Sequence, residues 1–341
     1  MRKNPVAATN LLELDDPETS PIAIEVHTGT GPPAERDRTE LRRGLLSAPK
    51  RIPSRFFYDE RGSELFERIT ELPEYYQTRT EGALLAAVAD RIVAASGAEE
   101  LVEIGSGAAT KTRILLDAMR RAGTLKLYVP VDVAEGTVRR VAEELTAEYP
   151  GLSVHGIVAD FMTQLDRLPD GCRRLVIFLG GTLGNLLPEE ARRFMAQLHR
   201  EMSPGDDILL GVDLIKPVER LEAAYNDAAG ITAEFNLNIL RVVNGLTGGD
   251  FDPAAFRHRA FYDREHDWIE MRLVSQRPQT VRLPDLDLEV ELAEGEEILT
   301  EISAKYDRAK AEALLTRAGF APVEWYTDPE NLFGLALSRR V

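Results

Sequence analysis

Two segments of the chain, Leu101-Val-Glu-Ile-Gly-Ser-Gly107 and, about 25 residues on, Tyr128-Val-Pro-Val-Asp132, carry residue types that together suit a nucleoside. In the first, an apolar run ends in an acid and two glycines just before helix-forming residues. Gly105 and Gly107 permit positive φ and let a ligand approach the backbone closely, and the amides exposed where a helix begins favour a negative group. In the second, Asp132 closes an apolar run where a carboxylate can accept both hydroxyls of a ribose. Asp160-Phe161 closes a third run, its carboxylate suited to an adenine amino hydrogen and its ring to stacking. Each feature also has a plainer reading: a tight turn without a ligand, two helix caps and a core aromatic.

The spacing separates kinds of nucleoside. A dinucleotide fingerprint wants a third small residue at position 110, where Thr110 stands, followed by Lys111, and no P-loop is present. A cofactor without a pyrophosphate fits better, and S-adenosylmethionine has the required adenosine, sulfonium and amino-acid tail. Lys111 suits the carboxylate of that tail, or else a solvated helix face. A fourth run ends in Phe178-Leu-Gly-Gly-Thr-Leu-Gly-Asn185, at the strand end that faces the reactive part of such a cofactor. Asn185 offers a donor and an acceptor, suited to a neutral amine or a carboxylate, and reads equally as a loop Asn of unusual φ. Tyr58, Tyr75 and Tyr225 lie outside this pattern, each by itself as readily core or surface.

These residues need a scaffold, and the hydrophobic pattern supplies one. Ala83 to Ala95 is Ala/Leu-rich and helical. Apolar runs at 101–104, 125–131, 152–158, 175–179 and 208–214 then alternate with helical stretches near 110–122, 135–148 and 189–202, as in a doubly wound parallel sheet. Lys216-Pro217 breaks the rhythm. Residues 218–245 read as helix, residues 256–300 as antiparallel strands, and 321–326 with 332–338 as a hairpin rejoining the sheet. A terminal antiparallel hairpin suits the methyltransferase version of the fold. A short helix is expected from Glu40 to Leu46, and disorder over residues 1–35, which are polar and rich in Pro, Thr and Glu.

Bulk composition bounds the rest. With 41 Lys+Arg against 57 Asp+Glu the formal charge is −16, and the basic residues are scattered, so neither nucleic acid nor an anionic membrane is an expected partner. No apolar run reaches the roughly 20 residues of a membrane helix. The single cysteine, Cys172, excludes an intramolecular disulfide and a cysteine-cluster metal site, and no metal is expected. With no signal-peptide pattern at the N-terminus, the cytoplasm is the simplest compartment.

Arg55–Thr80, Glu103–Gly107, Phe178–Asn185, Ala224-Tyr-Asn-Asp-Ala-Ala-Gly230 and Leu299-Thr-Glu-Ile-Ser-Ala-Lys305 together resemble the L-histidine Nα-methyltransferases of ergothioneine biosynthesis, from about residue 40 to the C-terminus. The chain departs from them in its longer N-terminus and in Gly181, where relatives carry Ser. The resemblance implies an α/β, Rossmann-like class I S-adenosylmethionine-dependent methyltransferase fold with a terminal antiparallel hairpin, over residues 80–215 and 306–341. It implies a second, α+β, histidine-binding domain over 36–79 and 216–305. It assigns cofactor contacts to Tyr58, Gly105, Lys111, Asp132, Asp160, Phe161 and Gly180. Histidine contacts fall on Tyr75, Asn185, Tyr225, Met271, Glu301 and Ser303, with Tyr58 and Asn185 nearest the chemistry. Glu301 and Ser303, two apart on a strand, point at one ring: a carboxylate accepts an imidazole N–H while a hydroxyl serves the other nitrogen. The implied reaction is trimethylation of the α-amino group of L-histidine to hercynine by a monomer. The alternatives are a methyltransferase for another amino acid or small amine, a non-enzymatic S-adenosylmethionine binder, and an NAD(P) oxidoreductase. Thr110 and the hairpin count against the last.

Overall fold

The computed structural model describes residues 20–27, 33–162, 164–165 and 172–341. Strand β1 (Ile22–Val26) and helix α1 (Pro33–Leu45) lead to a two-residue strand, β2 (Lys50–Arg51). Helix α2 (Glu60–Thr70) starts where the Asp59 carboxylate accepts the Gly62 N–H at 2.7 Å, a side-chain N-cap. Helix α3 (Gln77–Ser96) buries Leu84, Leu85, Val88 and Ile92, the three- and four-residue spacing of one helical face.

An alternating stretch follows: β3 (Glu100–Ile104), α4 (Thr112–Ala122), β4 (Leu127–Asp132), α5 (Glu135–Glu148), β5 (Ser153–Val158), β6 (Arg174–Phe178), α6 (Pro188–Glu201) and β7 (Asp207–Asp213). Every residue of β3, β6 and β7 is buried, as in a parallel sheet covered on both faces. Next come α7 (Val218–Tyr225) and α8 (Ile231–Thr247), then β8 (Phe256–Asp263), β9 (Trp268–Ser275), β10 (Gln279–Leu283), β11 (Leu288–Leu292) and β12 (Glu297–Ala304). Helix α9 (Arg308–Arg317) and the hairpin β13 (Phe320–Thr327) and β14 (Phe333–Arg340) complete the chain.

The strands make an eight-stranded sheet of order β1-β5-β4-β3-β6-β7-β14-β13, a four-stranded sheet of order β2-β12-β9-β8, and the separate β10-β11 pair. The large sheet is parallel up to β7, and β14 then pairs antiparallel to it, so the hairpin rejoins the sheet as expected. In the small sheet β9 pairs antiparallel with β8 and β12, while β2 lies parallel to β12. Helix α8 packs on it through Phe235, Ile239, Leu240 and Val243, against Met271, Leu273 and Ile298. The two sheets meet end to end. Just past β7 and β12, Leu214 bridges Tyr306, and the Tyr306 N–H donates to the Asp213 carbonyl at 2.9 Å.

Two expectations are corrected. Residues 1–35 are not wholly disordered: Ile22–Val26 pairs parallel with Val154–Val158, and Ile22 and Ile24 pack on the core. The strand covers what would otherwise be the bare edge of β5. Residues 1–19 and 28–32 of that expectation lie outside the described residues. The stretch 218–245 is two helices, because the Asp227 carboxylate accepts the N–H groups of Ile231 at 2.9 Å and Thr232 at 2.8 Å and so starts a new helix.

Candidate active site

The loop after β3 turns on Gly105 at φ 70° and Gly107 at φ 48°, both in the left-handed region where a side chain is strained. Glu103 anchors it from below. Its buried carboxylate accepts from Thr112 Oγ1 at 2.6 Å and Tyr128 Oη at 2.5 Å, tying α4 and β4 to β3. Burial pushes that carboxyl up to about 7 despite the two hydrogen bonds.

Asp132 is both a turn former and a tether: one oxygen accepts the Ala134 N–H at 3.0 Å, an Asx turn ahead of α5, and the other the Gly107 N–H at 2.9 Å. A Cβ on Gly107 would meet nothing within 4 Å, and one on Gly105 only the edge of Phe161 at 3.9 Å, so the loop borders open space. Phe161 rests edge-on against Phe178 and Phe194, each at 5.8 Å between centroids. Ser106 Oγ in the same loop is buried and has no partner among the described residues. A positive-φ loop, an orphaned hydroxyl and a carboxylate at the next strand end fit an adenosyl cofactor. Asp160 accepts from the Met162 N–H at 3.0 Å and from Arg36 of α1 at 2.9 Å. Lys111, expected to meet the tail carboxylate, pairs with the Glu81 side chain, which also accepts the Gly180 N–H at 2.8 Å. A carboxylate buried to 1% exposure requires such partners.

The second cluster forms on the small sheet. Glu301 lies directly across from Met271, with a register shift between Leu299 and Glu301. Two residues on, Ser303 Oγ accepts from Tyr225 Oη at 2.7 Å, which links the last residue of α7 to β12. Glu301 is only partly exposed and has neither a hydrogen bond nor an ion pair among the described residues. Burial pushes its carboxyl up to about 7, with Lys305 pulling the other way.

Of the residues assigned to the cofactor, Tyr58 has its described contacts in this second cluster. Its half-exposed ring packs edge-on against Phe66 at 5.6 Å and Phe235 at 5.9 Å, and Phe66 in turn meets Tyr75 at 6.1 Å. The Tyr58 hydroxyl is pushed up by burial and then by Glu301 and Tyr225, and the Tyr75 hydroxyl by burial and then by Tyr225, Tyr58 and Glu301. Three of the histidine-assigned groups, Tyr75, Tyr225 and Glu301, therefore share one electrostatic environment with Tyr58.

Asn185 lies on the loop that follows β6 of the large sheet. It ends the turn Thr182–Asn185, which sits on β12 so closely that a Cβ on Gly184 would lie 2.9 Å from the Ala304 carbonyl oxygen. The Asn185 side chain has no hydrogen-bond partner among the described residues.

Sequence reasoning missed the buried polar groups behind these surfaces. Asp213 accepts from Tyr76 Oη at 2.9 Å, and also pairs with Lys216 and with Lys305 at 2.8 Å. Burial would raise its pKa, but the two ammonium groups outweigh that and hold it below the usual carboxylate range. Lys305 stood inside a quoted motif without a role, Lys216 was read only as a break in rhythm, and Glu81 is one polar residue in an otherwise apolar helical stripe.

A parallel sheet extended by a reversed hairpin, with a glycine loop after β3 and a carboxylate at the end of β4, defines the class I methyltransferases. The sequence matches the family described as histidine-specific methyltransferase, SAM-dependent, over residues 37–340, and the chain belongs to that family. It is 48% identical to the histidine N-alpha-methyltransferase of Mycolicibacterium smegmatis over 307 residues, 90% of this chain and 96% of that one. It is 42% identical to the protein of the same name from Mycobacterium tuberculosis, covering 94% and 99% of the two chains. It also matches the ergothioneine biosynthesis protein 1 of Neurospora crassa at 32% identity, over 85% of this chain and 34% of the longer relative. Among the described residues no group of His, Cys, Asp and Glu could hold a metal, and no helix is long and apolar enough to cross a membrane.

Proposed function

We propose that this protein methylates the α-amino nitrogen of L-histidine three times, giving the betaine hercynine, a step of ergothioneine biosynthesis. The observation that carries the reading is Glu301: a largely enclosed carboxylate with no partner, two residues from the Ser303 hydroxyl on the same strand face. An acceptor and a hydroxyl so spaced match the two nitrogens of an imidazole. Met271, directly across from Glu301, supplies an adaptable apolar wall.

S-adenosylmethionine, held by Gly105, Asp132, Asp160, Phe161 and Gly180, supplies the electrophilic methyl group. Lys111, paired with Glu81 at the same corner, serves the carboxylate of the cofactor's amino-acid tail. The protein's part is to present a neutral amine in line with that group, and positioning supplies much of the rate. Asn185, with its amide unengaged, and Tyr75 and Tyr225 orient the amine and carboxylate. Tyr58 and Tyr75 have hydroxyls pushed up from their ordinary range, so at neutral pH they work as neutral phenols and not as phenolate bases. Tyr58 accepts an amine N–H and can pass its own proton towards water. The first two transfers each cost the neutral amine one N–H, whose proton leaves; the third adds to a tertiary amine with no proton to lose, and the final product offers no N–H donor. Tyr58, Phe66 and Tyr75 face that quaternary ammonium with ring surfaces.

The domain division of the expectation, 80–215 with 306–341 for the cofactor and 36–79 with 216–305 for histidine, belongs to this proposal. So do a monomeric state, a cytoplasmic location, and action without metal, nucleic acid or membrane. Incubating purified protein with S-adenosylmethionine and each proteinogenic amino acid tests the reading by mass spectrometry. Histidine is expected to gain one, two and three methyl groups, and no gain on histidine sinks it.

A further inference from the structure

The Lys305 side chain is fully buried and touches no solvent, and Lys305 immediately follows β12, the strand that carries Glu301 and Ser303. Its ammonium has three hydrogen-bond donors and no acceptor. All three are used: on Asp213 Oδ2 at 2.8 Å, Tyr225 Oη at 3.0 Å and Ser303 Oγ at 2.8 Å. The two hydroxyls also bond to each other at 2.7 Å. The phenol is the stronger acid of the two, so Tyr225 donates and Ser303 accepts. Ser303 Oγ then has both lone pairs filled, one by the ammonium and one by the phenol. Only its own proton remains, and no described residue accepts it.

We propose that Lys305 is a positioning residue that fixes Ser303 as a hydrogen-bond donor, so that with the acceptor Glu301 the strand selects a ring bearing one N–H and one unprotonated nitrogen, neutral imidazole. An indole or pyrrole ring offers an N–H to Glu301 but a C–H to the Ser303 proton, which is left buried and unpaired. An imidazolium ring sets a second N–H against that proton. Burial would push the Lys305 ammonium down, but Asp213 and the hydroxyls outweigh that and raise it, so the fixed polarity persists across the neutral range. The inference rests on the histidine reading and deepens it.

The test compares L-histidine with the pyrrol-2-yl and pyrrol-3-yl analogues of alanine, which between them keep an N–H at either ring position and replace the other nitrogen by C–H. Methylation of each is followed by mass spectrometry in wild type, Lys305→Met and Ser303→Ala, with S-adenosylmethionine affinity measured by calorimetry. Wild type is expected to favour histidine over the better pyrrole by about a hundredfold or more in kcat/KM. In Lys305→Met the hydroxyl is free to turn, and the preference is expected to fall by about tenfold or more with cofactor affinity unchanged. Ser303→Ala leaves the Lys305–Asp213 pair in place and is expected to lose the preference in the same way. Equal losses on histidine and pyrrole in Lys305→Met, or a preference retained in Ser303→Ala, overturns the role of Lys305 while leaving the histidine reading intact. A wild type inactive on histidine overturns the histidine reading itself.

Discussion

Lys305 Nζ lies 2.8 Å from Asp213 Oδ2, so the residue that follows β12 and the last residue of β7 form an ion pair with side chains only 0% and 5% exposed. That contact joins the C-terminal ends of β7 and β12, one strand from each sheet. Asp213→Asn leaves Lys305 and Lys216 as buried cations against a neutral amide. Removing one partner of a buried pair costs about 3 kcal/mol. The midpoint of urea unfolding is therefore expected to drop with little change in slope. A loss near zero would mean that the two sheets are held together elsewhere.

In the proposed function Glu301 exchanges stability for recognition. Its carboxyl sits at about 7 in the folded chain against an ordinary 4.5, so the folded state binds the proton more tightly than the unfolded one. Stability is lost as pH rises from the lower value to the higher, and the full penalty applies above both. Glu301→Gln is expected to stabilise the unliganded protein at alkaline pH by on the order of 1 kcal/mol. The same variant should lose roughly ten- to a hundredfold in kcat/KM for histidine with cofactor affinity unchanged. Thermal melts and steady-state kinetics on one preparation check both signs.

The same group sets a pH dependence. Below about 7 the free enzyme carries a protonated Glu301, which no longer offers a full acceptor to a ring N–H. KM for histidine is expected to rise as pH is lowered from about 8 to about 6, on top of the ring's own ionisation near 6.5. In Glu301→Gln only the ring's contribution should remain. Identical KM profiles in the two proteins would remove Glu301 from ring recognition.

Two glycines separate the two halves of the site. A Cβ at Gly184 would lie 2.9 Å and 3.1 Å from the backbone oxygen and nitrogen of Ala304, so Gly184→Ala must push the Asn185 turn off β12. Histidine kcat/KM is expected to fall by about a hundredfold for a displacement of this size, with S-adenosylmethionine affinity kept. Gly107→Ala meets no protein atom within 4 Å but forces a side chain onto φ 48° beside the open space. Its expected signature is the reverse: weaker cofactor binding, and a stability loss of about 1 kcal/mol from the backbone alone. Calorimetry with the cofactor and kinetics with histidine distinguish the two patterns.

The sequence by itself determined what depends on local pattern. Alternating apolar runs and helical stretches specify the parallel sheet and its hairpin, and Gly105, Gly107 and Asp132 mark strand ends because φ and side-chain type are properties of the residue. The resemblance brought Glu301, Ser303 and Tyr225 together as candidates. The split of 218–245 escaped the periodicity because both halves keep helical spacing and a single Asp227 restarts the second. Ile22–Val26 escaped composition because its partner, β5, is more than a hundred residues away in the chain. Tertiary structure alone decided the polar wiring. Lys111 reads as a partner of the tail carboxylate or a solvated helix face, with no sign of Glu81 against it, and Lys305 has no role until the ends of β7 and β12 bring Asp213 to its ammonium. Periodicity says which face of an element is covered. It does not say which charge covers it, and the proton positions that tell one ring from another depend on that charge.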